Sequence, residues 1–187
     1  MMMLMLLTCC IGAGAQSTDK LYDEGKALYD AKDYKAAVPK LRAAADKGHK
    51  KAQYRLGRCY DKGHGVQESD SLAFVWYMKA AKQGHAKSQY QVGKSYKNGE
   101  GVKEDRKLAV EWFAKAAKQE NGDAQLALGK AYMKGKGVAK DEAKAKTWLK
   151  RAVNNEKDGA AILKELRAER DAGDDDAVKI LQIVGKK

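Results

Sequence analysis

Proline, cysteine and strand-like patterns are all scarce in this sequence, and each scarcity narrows the fold class. One proline, Pro39, occurs in 187 residues, so runs of helix-forming residues continue without the residue that most strongly breaks a helix. No segment shows the alternation of apolar and polar side chains that is typical of a half-buried strand. The composition therefore predicts an all-α protein, and the length favours one elongated domain.

Two of the three cysteines lie in the first fifteen residues, a segment that has no charged side chain. It ends in Ala-Gly-Ala, the small-residue pattern of a secretory cleavage site. We therefore predict that residues 1–15 are a signal peptide, although no Lys or Arg precedes the apolar core. The segment is short for a bilayer span, and no transmembrane span is expected in the mature chain. Cleavage after Ala15 would leave Cys59 alone, which excludes an intramolecular disulfide.

Two alternatives to a cleaved signal remain for this segment. Residues 6–9, Leu-Leu-Thr-Cys, faintly resemble a lipid-attachment site, which would make the chain a membrane-anchored lipoprotein. An apolar tail on a cytosolic protein is the other alternative. We favour plain export, to the periplasm or to the outside of a bacterial cell.

The formal net charge of +12 bears on the class of partner. An exported protein rarely meets nucleic acid, so no nucleic-acid partner is expected. An acidic protein or peptide, a glycan or an anionic envelope surface is the counterpart that this charge favours.

Residues that could act in catalysis or metal binding do not form a motif with the spacing such sites require. His49 and His85 are 36 residues apart and represent one repeated position, and His64 has no partner at a metal-ligand spacing. Residues 17–20 match the S-x-x-K of serine acylases, but neither K-T-G nor S-D-N accompanies them. No catalytic residue, metal site or cofactor is predicted.

A period of 36 residues dominates the rest of the chain. Glycine pairs, tyrosines and alanines recur in one register, together with three tryptophans and three single glycines: Trp76, Trp112, Trp148, Gly57, Gly93 and Gly129. Self-similarity at such a period is typical of stacked helical repeats, and stacks of this kind usually bind rather than catalyse.

Each unit is predicted to contain a first helix (helix A), a glycine loop and a second helix (helix B). Gly57 on helix A lets a neighbouring helix approach closely. Gly63 and Gly65 end that helix, because glycine reaches positive φ without a Cβ clash. Ser69 is expected to cap helix B, as are its counterparts Asp105 and Asp141 in the next two units. The indole of Trp76 is expected to be buried between small residues of helix B, and the same role is expected at the other two tryptophans.

The chain divides into four parts on this pattern. Residues 1–15 are the signal peptide, and residues 16–48 form an N-terminal capping helix pair. Residues 49–156 hold three units of 36 residues, and residues 157–187 form C-terminal capping helices. Atypical end units shield the end faces of such a stack.

The strings AQYRLGRCYDKGHGV, SQYQVGKSYKNGEGV and AQLALGKAYMKGKGV, followed by FVWYMKAA, VEWFAKAA and KTWLKRAV, resemble the Sel-one-like repeat family. This family is related to the tetratricopeptide repeats, and residues 21–48 look like a plain tetratricopeptide unit. The resemblance implies an α-solenoid of antiparallel helix pairs wound into a right-handed superhelix. It also implies a protein-interaction scaffold. Some exported relatives carry a cysteine pair in each repeat, a pattern that this chain lacks.

A basic residue follows each glycine of helix A, and an aromatic or apolar residue precedes that glycine by three positions. In tetratricopeptide relatives these two positions line the concave groove, so the resemblance implies a groove formed by Tyr22, Lys26, Tyr54, Arg58, Tyr90, Lys94, Leu126 and Lys130. Tyrosines would offer apolar platforms and the cations would favour a carboxylate-rich partner. The alternative is a solvated basic face with half-buried tyrosines.

The leading hypothesis is an exported, non-enzymatic scaffold that holds a segment of another protein in its concave groove. A cell-envelope hydrolase or cell-wall-active enzyme is the alternative from another class, and no nucleophile–base arrangement supports it. A third hypothesis is a subunit that bridges larger assemblies through its convex face.

Overall fold

The computed structural model describes residues 17–186, so the predicted signal peptide and its two alternatives lie outside the described residues. Every regular element within this range is an α-helix, which confirms the all-α prediction. The ten helices are α1 (Thr18–Asp30), α2 (Tyr34–Asp46), α3 (Lys50–Lys62), α4 (Asp70–Lys82), α5 (Ala86–Asn98), α6 (Arg106–Ala117), α7 (Gly122–Lys134), α8 (Glu142–Val153), α9 (Gly159–Asp171) and α10 (Asp175–Val184).

Consecutive helices pack in pairs, and helix B of each pair packs on helix A of the next. The pairs stack into a solenoid, as predicted, with α1, α3, α5, α7 and α9 as the A helices. None of the helices in residues 17–186 combines the length and the apolar character needed to cross a bilayer.

The predicted N-caps begin the B helices of all three repeats. The side-chain oxygens of Ser69, Asp105 and Asp141 accept bonds from backbone N–H groups three residues later, at 3.3, 2.9 and 2.8 Å. Each bond satisfies a donor that the first turn of a helix leaves unpaired, and its loss costs about 1 kcal/mol. One cap in every unit therefore fixes where helix B starts.

The two loop glycines of each unit have different tasks. Gly99 caps α5 in the left-handed conformation, with φ of 75°. Gly101 has φ of 67° and lies against the preceding unit, where an added Cβ would be 2.2 Å from the carbonyl oxygen of Asp70. The loop of one unit thus packs on the start of helix B in the unit before it.

The single glycine of helix A allows helix B to approach closely, as the sequence predicts. The side chain that fills the space beside this glycine belongs to the residue immediately after the tryptophan of helix B. A Cβ on Gly57 would lie 2.6 Å from the Tyr77 ring, and one on Gly93 would lie 2.5 Å from the Phe113 ring. Leu149 fills the same space beside Gly129. These glycines therefore set the distance between the two helices of each pair.

The predicted burial of the indole is confirmed at Trp76, which is 6% exposed, and is wrong at Trp112 and Trp148, which are only half-buried. A cation three residues later lies over each indole, for example Lys79 Nζ at 3.8 Å from the Trp76 ring and Lys115 Nζ at 4.1 Å from the Trp112 ring.

A buried glutamine links each unit to the one before it, and we name Gln53, Gln89 and Gln125 the glutamine clamp. Gln89 donates from Nε2 to the carbonyl oxygen of Ala81 at 3.2 Å and accepts from Nε2 of Gln119 at 2.7 Å. Gln53 and Gln125 make the corresponding pair of bonds. The clamp is not among the sequence predictions, although its 36-residue spacing is visible in the sequence.

Candidate functional groove

The eight residues predicted to line a groove all lie on A helices, and their contacts divide them into two sets. Tyr22, Lys26, Tyr54 and Arg58 lie on α1 and α3, which we call the N-terminal groove half. Tyr90, Lys94, Leu126 and Lys130 lie on α5 and α7, which form the C-terminal groove half together with α9.

In the N-terminal groove half the predicted side chains on α1 contact other residues of the chain. Tyr22 stacks on His49 with 4.3 Å between ring centroids, and its hydroxyl accepts from Arg55 Nε at 3.5 Å. Lys26 Nζ and Arg55 Nη1 both contact the carboxylate of Asp30, at 3.0 and 3.1 Å. The hydrogen bond from Lys26 is the main cause that lowers the pKa of Asp30.

The predicted side chains on α3 are also engaged. Tyr54 packs against Tyr77 and His85 at 5.9 and 4.9 Å between ring centroids, and burial raises the pKa of its hydroxyl. The guanidinium of Arg58 lies 5.9 Å from the ring centroid of Tyr29. The aromatic rings and cations of this half are thus held by contacts within the chain.

An open cavity of about 400 Å³ lies in the C-terminal groove half, between α5, α7 and α9. Tyr90, Leu126 and Ile162, which are spaced by 36 residues, form an apolar rung across the three helices. Phe113 closes the floor beneath Gly93. The cavity offers an apolar platform, as the groove prediction requires, although on three helices rather than along the whole stack.

Lysines crowd the end of the cavity at the C-termini of α5 and α7. Lys97 and Lys136 line it, and within residues 17–186 neither forms an ion pair. Desolvation, followed by the ammonium groups of Lys94 and Lys130, lowers the pKa of Lys97. Lys130 lies 3.7 Å from Glu169 across the cavity. We call this end of the cavity the lysine end, and its positive charges lie close together.

Two carboxylates of the cavity lining, Asp123 and Glu165, lie near the hydroxyl of Tyr90. Desolvation, followed by the neighbouring carboxylate of Asp158, raises the pKa of Asp123. Burial, together with the charges of Asp123 and Glu165, raises the pKa of Tyr90 to about 12. The Tyr90 hydroxyl therefore keeps its proton at neutral pH and can donate it to an acceptor.

Several of these residues were missed by the groove prediction, which took only two positions from each helix A. Lys97 lies seven residues after Tyr90 and so shares its helix face, a signal that was present in the sequence. Glu165 stands in the register of the close-approach glycines Gly93 and Gly129. Its position in the cavity depends on how α9 packs, which no sequence pattern specifies.

The histidines have structural contacts. His49 and His85 cap α3 and α5, since Nδ1 of each accepts a backbone N–H, at 3.1 and 3.3 Å. His85 also contacts the hydroxyl of Ser88 at 2.9 Å, but Ser88 is fully buried, so this serine–histidine pair cannot meet a substrate. His64 Nδ1 lies 3.2 Å from the Tyr29 hydroxyl.

Other reactive groups give no chemical site in the described part of the chain. Cys59 is buried, and burial raises the pKa of its thiol to about 11, which keeps it a weak nucleophile at neutral pH. In residues 17–186, no group of three or more His, Cys, Asp and Glu side chains could hold a metal ion.

Ten helices packed in consecutive pairs, with one cap, one loop and one clamp repeated every 36 residues, define an α-solenoid of helical repeats. The Sel1 repeat model matches residues 50–85, 86–121 and 122–156, more than half of the chain. The chain belongs to the Sel1 repeat family, in the tetratricopeptide-like superfamily, which confirms the resemblance. It is a helical scaffold of a type that typically serves protein interaction.

Solved structures support this assignment. A Sel1 repeat protein from Oxalobacter formigenes is 30% identical, with a TM-score of 0.69 over 83% of this chain and 72% of that one. A protective antigen of uropathogenic Escherichia coli strains, with an SLR fold, is 28% identical, with a TM-score of 0.74 over 90% of this chain and 38% of the antigen. Cysteine rich protein B of Helicobacter pylori is 27% identical, with a TM-score of 0.52 over 65% of this chain and 93% of that one. Among curated proteins, none is similar enough to count as a match.

Proposed function

We propose that this chain binds an extended segment of a partner protein in the C-terminal groove half. The observation that carries the proposal is the open cavity in which an apolar rung lies beside lysines that have no ion pair within the described residues. Tyr90 and Leu126 supply apolar surface in the middle of the cavity. At the lysine end, Lys97 and Lys136 supply cations that gain a carboxylate only when a partner brings one.

The comparison of the two groove halves supports this location. The cations of the N-terminal groove half already contact Asp30 or the Tyr29 ring, so a ligand there would have to displace an internal contact. Lys97 and Lys136 would lose no such contact on binding. Binding energy is therefore available in the C-terminal groove half at a smaller internal cost.

The test uses one apolar-to-arginine substitution inside the cavity and one outside it. A partner is recovered from envelope extract with the full chain, identified by mass spectrometry, purified and measured by calorimetry. Leu126→Arg should weaken binding at least tenfold, a loss of about 1.4 kcal/mol. Val75→Arg should leave the affinity unchanged, because Val75 is already 44% exposed on α4 and lies outside the cavity. The reverse result would move the binding surface to the exposed face of the B helices.

We also propose that the chain acts outside the cytoplasm, after cleavage behind Ala15. The support is the uncharged apolar start that ends in Ala-Gly-Ala. Intact mass of the protein from its native host should show Gln16 as the first residue. A full-length cytosolic species would contradict export, and a diacylglycerol on Cys9 or Cys10 would show a lipoprotein instead.

A further inference from the structure

The charges around the cavity of the C-terminal groove half are of both signs rather than uniform. Lys97 and Lys136 line the end at the C-termini of α5 and α7, and Asp123 and Glu165 lie near the hydroxyl of Tyr90. The pair of Lys130 and Glu169 also lines the cavity. A ligand that is acidic throughout would meet the lysines favourably and the carboxylates unfavourably, so uniform acidity is a poor match for this surface.

The distance between the two ends follows from helix geometry. Asp123 lies seven residues before Lys130 on α7, and Lys97 stands about one turn further along, at the repeat position of Met133. Seven to ten residues of α-helix rise about 10–15 Å. An extended segment rises about 3.3 Å per residue, so two of its charged side chains would have to be about three to five residues apart to reach both groups.

Contacts within the chain leave both ends available. In residues 17–186, neither Lys97 nor Lys136 at the lysine end, and neither Asp123 nor Glu165 at the carboxylate end, forms an ion pair. Two other lining lysines are paired: Lys130 with Glu169 at 3.7 Å, a weak contact between partly exposed groups, and Lys134 with Asp176. The charges of Lys97, Lys136, Asp123 and Glu165 are therefore left for a ligand.

We infer that the partner segment is bipolar: an acidic side chain meets Lys97 and Lys136, an apolar side chain lies on the rung of Tyr90 and Leu126, and a basic side chain meets Asp123 and Glu165. This inference rests on the proposed function, since it specifies the chemistry of the segment bound there. It differs from the expectation of a simply acidic partner, because half of the recognition comes from carboxylates on the protein. The Tyr90 hydroxyl, protonated at neutral pH, adds a donor between the two ends.

The experiment selects ligands without assuming a natural partner. Random peptides displayed on phage are selected on the full chain, and the enriched peptides are synthesised and measured by fluorescence anisotropy. The enriched sequences should carry one acidic and one basic residue on either side of an apolar residue. Lys97→Glu with Lys136→Glu, and separately Asp123→Lys with Glu165→Lys, should each weaken the best peptide at least tenfold, about 1.4 kcal/mol.

A charge exchange provides the control for folding. Changing the acidic residue of the peptide to Lys should restore binding to the Lys97→Glu, Lys136→Glu variant, which a misfolded variant could not show. Circular dichroism melts of each variant accompany the binding data. Rescue of this kind assigns the acidic side chain of the ligand to the lysine end.

The outcomes separate this inference from the proposed function. Enriched peptides that are uniformly acidic, and whose binding is lost in Leu126→Arg, would overturn the bipolar assignment and keep the groove as the binding site. Peptides that bind Leu126→Arg as well as the natural chain, or no enrichment at all, would overturn both. No enrichment together with concentration-dependent self-association would identify a second copy of the chain as the occupant.

Discussion

The two groove halves are built from the same repeat, yet Lys26 in one is paired within its own helix, whereas Lys94 in the other forms no ion pair within residues 17–186. Four residues after Lys26 on α1 stands Asp30, which pairs with it at 3.0 Å. At the same offset Lys94 is followed by Asn98, and Lys130 by Lys134. The carboxylate four residues after Lys26 is thus replaced by a neutral or basic side chain in the other repeats. The residue at this position decides whether a groove cation is paired within its own helix.

The largest expected effect tests the floor of the C-terminal groove half. Phe113→Ala should lower the free energy of unfolding by about 3–5 kcal/mol, because the ring is 2% exposed and fills the space that Gly93 leaves. Trp112→Ala, the matched control, should cost less than half of that, because its indole is only half-buried. Urea denaturation measures both. An equal loss in the two variants would mean that the tryptophan carries the core after all.

The next effect is a pH dependence at the boundary between the two halves. Burial, followed by the charges of Lys50, Lys87 and Lys51, lowers the pKa of His85 from 6.5 to about 4. Between these values the unfolded chain binds more protons than the folded one, so stability is complete above pH 6.5 and falls as the pH drops toward 4. The loss should be about 1–3 kcal/mol.

Asn121 occupies the same repeat position as His85 and caps α7 with an uncharged side chain. His85→Asn should therefore keep the cap and remove most of this acid-dependent loss. Melting curves between pH 4 and 7 of both proteins test it. A loss of equal size in the variant would place the titrating group elsewhere.

A direct comparison of the halves comes from paired charge reversals. Lys94→Glu with Lys97→Glu should weaken binding of the partner at least tenfold, a loss of about 1.4 kcal/mol. Lys26→Glu with Arg58→Glu should change the affinity less than threefold, because those cations contact Asp30 and the Tyr29 ring. Calorimetry at two salt concentrations measures both, since screening weakens exposed charges. Equal losses of affinity in the two double variants would show that the partner contacts both groove halves.

A smaller effect concerns the hydroxyl of Tyr77, which is buried without a hydrogen-bond partner. The equivalent residue in the C-terminal groove half is Phe113, so the chain itself contains the version without a hydroxyl. Tyr77→Phe should stabilise the fold by about 1 kcal/mol, since an unsatisfied buried hydroxyl is costly. Phe113→Tyr should destabilise it. If Tyr77→Phe were destabilising instead, a bound water or another partner for the hydroxyl would be indicated.

The smallest effect is expected from a substitution that gives the C-terminal groove half the internal ion pair of the N-terminal groove half. Asn98→Asp places a carboxylate four residues after Lys94, as Asp30 stands after Lys26. An exposed pair of this spacing contributes about 0.2–0.5 kcal/mol, so affinity for an acidic group should fall about twofold. Asn98→Ser is the uncharged control. An unchanged affinity in Asn98→Asp would show that an internal ion pair at Lys94 does not affect binding of the ligand.

Much of the fold could be predicted from the sequence because each local pattern of capping and turn residues occurs in all three repeats. The caps at Ser69, Asp105 and Asp141 and the positive φ of the loop glycines depend on nearest neighbours along the chain, and these predictions are confirmed. The burial of Trp112 was predicted incorrectly because it depends on how a helix is rotated about its axis. Phe113, rather than Trp112, fills the space beside Gly93, a contact between two helices.

The candidate site was less accessible from the sequence. Repetition identified Tyr90 and Leu126 as groove residues, but it also gave Tyr22 and Tyr54 the same status, since all four share one register. The two pairs of residues differ in the contacts of the cations beside them. One of these contacts comes from Arg55, which binds both Asp30 and Tyr22 but is not at either of the two repeated positions used for the groove prediction. Glu165 replaces the glycine of its repeat position, and Asp123 stands where the other units have Lys51 and Lys87, so a search for repeated residue types passes over both.

The glutamine clamp has a consequence for how the length of such a chain can change over generations. Each clamp joins a helix A glutamine to the end of the preceding helix B, and its three occurrences are 36 residues apart. Duplication or deletion of one whole repeat at the level of the gene would regenerate every clamp with its bonds intact. An insertion of one extra residue within helix A would rotate the glutamine by about 100° and bury its amide without partners. The clamp therefore makes whole-repeat changes in length tolerable and single-residue changes within this helix costly.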